Sequence, residues 1–153
     1  MTLAQGKSLI LKHAKHVLQN QRALVKTVTE SDYTRPLPFF GATIGQHVRH
    51  SLQHFEKLAT DQNSLADYDS RSREVDLELS RSAALQGIDA LLAALPKQGE
   101  RLADKVDVKF MGDSSGNKYT IPSTLARELS FTAHHATHHT ATIMQMMKSL
   151  DYV

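Results

Sequence analysis

The chain has no cysteine among its 153 residues. That absence excludes a disulfide framework, a cysteine-built zinc knuckle and an internal thiol nucleophile, and it makes a reducing cytoplasm the simplest address. Long apolar runs are missing too. The longest, Ala90 to Leu95, is six residues, against the roughly 20 that a membrane span requires. Only Ser8 to Leu11 separate Lys7 from Lys12, too little for the apolar core of a secretory signal. No export and no membrane partner are expected, and the protein should be soluble and cytoplasmic. An excess of one charge is also lacking: 18 Lys and Arg against 16 Asp and Glu give +2. Both signs are interspersed along the chain, so no nucleic-acid partner is expected. The length suits one domain with a real core, and residues 1–153 are read as a single domain.

With four prolines and seven glycines in all, these residues act as punctuation between amphipathic segments. Ile10, Ala14, Val17, Leu18, Leu24, Val25 and Val28 recur at three- and four-residue spacing, which predicts a first helix over about 2–29. Pro36, Pro38 and Gly41 mark a loop. Thr43 and Gln46 fit a capping box opening a second helix, whose stripe is Ile44, Val48, Leu52, Phe55 and Ala59. A connection over 60–70 leads to a third helix over about 71–95, with Leu77, Ala84, Ile88, Leu91 and Leu95 on one face and Pro96 and Gly99 as stops. Alternating Val106, Val108 and Phe110, then Tyr119 and Ile121, predict a small β-hairpin. A fourth helix over about 123–149, capped by Ser123, carries Leu125, Leu129, Ala133, Ala136, Ile143, Met147 and Leu150. Four amphipathic helices bury their stripes most simply as an all-α four-helix bundle, with the hairpin between the third and fourth.

Histidine is the residue in excess. There are nine, and seven fall within His47 to His54 and His134 to His139. On a helix, residues four apart stand one above the other, so two overlapping pairs in the second stretch offer chelating geometry. At about 100° per residue, His135 and His139 lie roughly 100° and 60° from the centre of the aliphatic stripe, while His134 and His138 point to the opposite side. The inward pair is therefore His135 and His139. A catalytic metal site needs a third protein ligand. His47, His50 and His54 share one flank of the second helix, and periodicity slightly favours His47 among them.

Thr43-Ile44-Gly45-Gln46-His47-Val48-Arg49-His50-Ser51-Leu52, followed far downstream by His135-Ala136-Thr137-His138-His139-Thr140-Ala141, resembles the DinB-like (DinB/YfiT) metalloenzyme family over essentially the whole chain. In that family an apolar position early in the second helix precedes the metal-binding histidine by six residues, which maps Ile44 onto His50. The resemblance therefore implies His50 as the third ligand, with His47 as the competitor, and it implies His135 and His139 as the pair from the fourth helix. A tryptophan frequent in the family two residues before the matched aliphatic position is Ala42 here. His54, His134 and His138 are read as surface or supporting residues, and His13 and His16 as structural or solvated.

Glu128 is a candidate acceptor for a ligand's imidazole N–H. Arg71 and Arg73, with Asp69, suit recognition of a charged substrate, although Asp69 and Ser70 also fit a helix start and the arginines could pair with Glu74 or Asp76. Three neutral imidazoles leave an ion's charge intact and a coordination position open, which suits zinc or nickel. The resemblance implies a metal-dependent hydrolase or thiol S-transferase acting on a small-molecule substrate, with water or an exogenous low-molecular-weight thiol as nucleophile. The alternative is a non-catalytic, stress-associated metal-binding bundle. A homodimer is the expected assembly.

Overall fold

The computed structural model describes residues 3–59, 65–70 and 75–152. Its helices are α1 (Leu3–Thr27), α2 (Glu30–Tyr33), α3 (Ile44–Ala59), α4 (Val75–Leu79), α5 (Arg81–Ala94) and α6 (Leu125–Lys148), and its strands are β1 (Leu65–Asp67), β2 (Lys105–Met111) and β3 (Lys118–Thr124). A 3₁₀ turn, Leu95–Gly99, extends α5. The four long helices α1, α3, α5 and α6 form the bundle. Both α5 and α6 pack on α1 and on α3.

The predicted stripes form the core. Val48, Leu52 and Phe55 of α3 meet Leu129, Ala133, Ala136 and Ile143 of α6 in one buried cluster with Ala14, Leu18 and Val25 of α1 and Ala84, Ile88 and Leu91 of α5. Burying each large aliphatic side chain contributes about 1.5–3 kcal/mol, so these stripes outweigh single hydrogen bonds at about 1 kcal/mol each. One buried polar junction sets the register of three helices instead. Gln21 Nε2 of α1 donates to Ser51 Oγ of α3 at 2.8 Å and to the Ala136 carbonyl of α6 at 3.3 Å, and Ser51 Oγ donates back to Gln21 Oε1 at 3.1 Å. Ser51 and Ala136 each follow a candidate metal ligand, so this junction also fixes the two helices that carry the site.

Three features differ from the sequence reading. The all-α expectation gives way to a mostly helical bundle with a three-stranded mixed sheet, ordered β1-β2-β3. The hairpin forms as expected, with Val108 opposite Ile121, but β1 joins it in parallel, Ala66 opposite Val108. A three-residue strand shows too little alternation to be seen in a sequence. The continuous third helix is instead two, because Ser80 leaves helical geometry (φ −130°, ψ 113°) and its side chain caps α5 by accepting from Ala83 N–H. Residues 71–74 lie outside the described residues. At the start of α6 the cap is Thr124, whose Oγ1 accepts from Arg127 N–H at 3.3 Å, and not Ser123.

The loop before α3 is closed by an antiparallel bridge between Leu37 and Ala42, with Gly41 at φ +64°. The expected capping box is present: Gln46 N–H donates to Thr43 Oγ1 and Thr43 N–H to Gln46 Oε1, both at 3.0 Å. Beside it, Gly45 lies so close to α4 that a Cβ would collide with the Glu78 carbonyl oxygen and stand 2.9 Å from the Tyr33 ring. Buried Tyr33 pins the same place, donating from its hydroxyl to the Leu77 carbonyl at 2.6 Å. Among the described residues no helix is long and apolar enough to cross a membrane.

Candidate metal centre

The capping box fixes where α3 starts, and so which flank presents His47, His50 and His54. From α6, His135 and His139 face them one turn apart. His135 Nε2 stands 3.0 Å from His50 Nε2 and 3.1 Å from His139 Nε2. His135 Nε2 is thus the shared neighbour of the other two ring nitrogens. A zinc–nitrogen bond of about 2.0–2.1 Å in tetrahedral geometry places neighbouring donors about 3.3 Å apart, so the His50–His135 and His135–His139 separations each come within a few tenths of an ångström of a pair of ligands on one ion. A hydrogen on His135 Nε2 can serve one neighbour, whereas a shared cation suits all three.

His54, read as a surface or supporting residue, is not at the surface. It is 7% exposed, and one ligand nitrogen from each of His50, His54 and His135 falls within 4.8 Å of the others. Its Nδ1 lies 2.9 Å from the His50 carbonyl oxygen. A carbonyl only accepts, so Nδ1 carries the hydrogen and Nε2 the lone pair that a cation needs. Spacings of three and four residues link His47, His50 and His54, but the wheel does not reveal that β1 and its continuation cover this end of α3. Tyr68, just past β1, stacks on His54 at 4.9 Å and 13°.

His47 sits one step out. Its Nδ1 is 2.9 Å from His139 Nδ1, so one of the two is N–H and the other its acceptor. Burial is the largest cause holding the imidazoles of His47, His135 and His139 below their usual pKa, with neighbouring histidines adding to it; His139 is lowered to about 4. These three imidazoles are therefore neutral near pH 7, the state in which imidazole binds a metal.

Glu128, expected to accept an imidazole N–H, is fully buried but takes other donors: Tyr68 Oη at 2.9 Å, Ser123 Oγ at 2.6 Å and Arg127 Nη1 at 2.6 Å. Tyr68 links it to His54. Burial and the Glu128 charge push the Tyr68 hydroxyl pKa up, so it remains a donor. Asp69 accepts Met111 N–H at 2.7 Å and joins the end of β1 to β2. Arg71 and Arg73 lie outside the described residues. His134 is exposed and packs edge-on against His13 at 5.1 Å, and exposed His16 meets Asn20 at 3.1 Å. His138 is exposed. A cleft of about 290 Å³ opens beside the cluster, lined by Ala42, Gln46, His47, Arg49, His50 and His139.

No family model matches the sequence, and no curated protein matches it. Among solved structures the fold is similar to that of YfiT from Bacillus subtilis, described as a probable metal-dependent hydrolase with an unusual four-helix bundle topology. The TM-score is 0.67 over 100% of this chain and 91% of that one, at 18% identity. The chain has a DinB/YfiT-like fold.

Proposed function

We propose that the chain is a divalent-metal-dependent enzyme of hydrolase or thiol S-transferase type, with His50, His135 and His139 as protein ligands to zinc or nickel. The observation that carries this reading is the approach of His135 Nε2 to both His50 Nε2 and His139 Nε2 at 3.0 and 3.1 Å. When bound, an ion on three neutral imidazoles supplies Lewis acidity, lowering the pKa of water toward neutrality or holding an exogenous thiol as thiolate. His139 uses Nε2 toward the centre, so its Nδ1–H donates to His47 Nδ1, which fixes tautomer and ring orientation as an outer partner does for a metal-bound histidine. The cleft past His50 and His139 admits a small-molecule substrate. With no cysteine in the chain, a thiol nucleophile comes from solution.

One observation favours a second reading. The grouping of His54 with His50 and His135 would let His54 close the fourth position, giving a non-catalytic metal-binding protein, since structural zinc sites are typically four-coordinate with protein ligands. The two readings separate in an assay of zinc- and nickel-loaded protein against a panel of esters, phosphoesters and thiol–electrophile pairs. The enzyme reading expects metal-dependent turnover that vanishes in His135→Ala and persists in His54→Ala. Metal held by His54 together with no turnover across the panel would instead support the closed site.

A further inference from the structure

Arg49 precedes His50 on α3 and lines the same cleft. Its Nε lies 3.0 Å from Glu78 Oε2, and both side chains are about four-fifths buried, at 21% and 20% exposed. Glu78 is held from its other oxygen, which accepts from Gln46 Nε2 at 2.9 Å. The pair ties α3 to α4 but engages one edge of the guanidinium. Among the described residues, neither terminal nitrogen of Arg49 has a hydrogen-bond acceptor.

A plain strut between helices would use a lysine's single nitrogen as well. A guanidinium offers five N–H donors in a rigid fork; Nε faces Glu78 as an ion pair without a hydrogen bond among the described residues, which leaves the four terminal donors for another acceptor. Among the described residues the cleft lining contains no acidic side chain, and Arg49 is its one permanent cation. Its volume sits at the lower end for small-molecule sites. We infer that this cleft takes a small substrate carrying a carboxylate or phosphate-type oxyanion, held by the terminal nitrogens of Arg49, with the reacting end toward His50 and His139. The placing of the reacting end rests on the metal-centre reading above; the oxyanion contact rests on Arg49, Glu78 and Gln46 alone. Arg49 is thus a binding residue and Glu78 its positioning residue.

The test uses cobalt(II)-loaded full-length protein titrated with 3-mercaptopropionate and with neutral 2-mercaptoethanol, following the sulfur-to-cobalt charge-transfer band. The wild type should prefer the anionic thiol at least tenfold. In Arg49→Gln the preference should collapse to within about twofold while cobalt stoichiometry stays unchanged. Glu78→Gln loosens the same helix contact but keeps the guanidinium, so it should retain most of the preference and controls for a merely structural effect. No preference in the wild type, a preference undiminished in Arg49→Gln, or equal loss in both variants overturns the inference. If no cobalt is held at all, the metal reading fails by itself. Phosphate titration of the metal-free protein then decides this inference: a tenfold loss of affinity in Arg49→Gln supports it, and no loss overturns it.

Discussion

Replacing Gly45 by alanine should destabilise the protein although the position lies in a helix, where alanine is ordinarily better than glycine by about 1 kcal/mol. The added Cβ would collide with the backbone oxygen of Glu78 and stand 2.9 Å from the Tyr33 ring. Neither neighbour can swing aside cheaply. The Glu78 carbonyl belongs to α4, and Tyr33 is fully buried with its hydroxyl committed to the Leu77 carbonyl. Overpacking of this kind costs about 1–3 kcal/mol where side chains can yield and more where backbone must move. Taking about 4 kcal/mol for the clash and subtracting the helix gain leaves a net loss of about 3 kcal/mol. For a chain of this size each kcal/mol lowers the melting temperature by about 2–4 °C, so Gly45→Ala should melt about 6–12 °C below the wild type. The assay is thermal unfolding by circular dichroism on metal-free protein, because a bound ion would add its own stabilisation. An unchanged or raised melting temperature would refute the close packing of α3 on α4, and with it the placement of Glu78 behind Arg49.

Folded His139 stays neutral down to about pH 4, whereas a free imidazole protonates near 6.5. The unfolded chain therefore binds more protons between these values. Metal-free stability should be flat above about pH 6.5 and fall as the pH drops toward 4; urea midpoints across this range check it, with a shallower fall in His139→Asn. Tyr68→Phe removes one of three donors to the buried Glu128 carboxylate but keeps the ring against His54. It should cost about 1–2 kcal/mol in denaturant unfolding and leave metal stoichiometry unchanged. Gln21→Leu strands Ser51 Oγ in the core, while the Ala136 carbonyl keeps its bond from Thr140 Oγ1, and should cost about 1–3 kcal/mol by the same measurement.

The four long helices were legible because each carries a stripe of period 3.6 broad enough to survive local noise, and the start of α3 because Thr43 and Gln46 satisfy each other's backbone. The inward direction of His135 and His139 followed from the same periodicity. What escaped depended on contacts between segments distant in sequence. Tyr68 reaches Glu128 across 60 residues, and only that crossing shows why His54 is buried and where the Glu128 hydrogen bonds go. Nothing in the spacing of α3 marks Arg49, because its partner Glu78 lies 29 positions on. Ser80 was hidden differently: a single residue leaving helical geometry interrupts no apolar pattern, since Leu77, Ala84 and Ile88 remain on one face across the break.

The most direct test of the metal centre is elemental analysis by inductively coupled plasma mass spectrometry. It would be run on tag-free wild type and on the His50→Ala, His135→Ala, His139→Ala and His54→Ala variants, each purified without added metal and again after reconstitution with zinc or nickel. About one equivalent in the wild type, lost in the first three variants and kept in His54→Ala, is the predicted result. A wild type that takes up no stoichiometric metal even after reconstitution would contradict the account and leave the clustered histidines as packing alone.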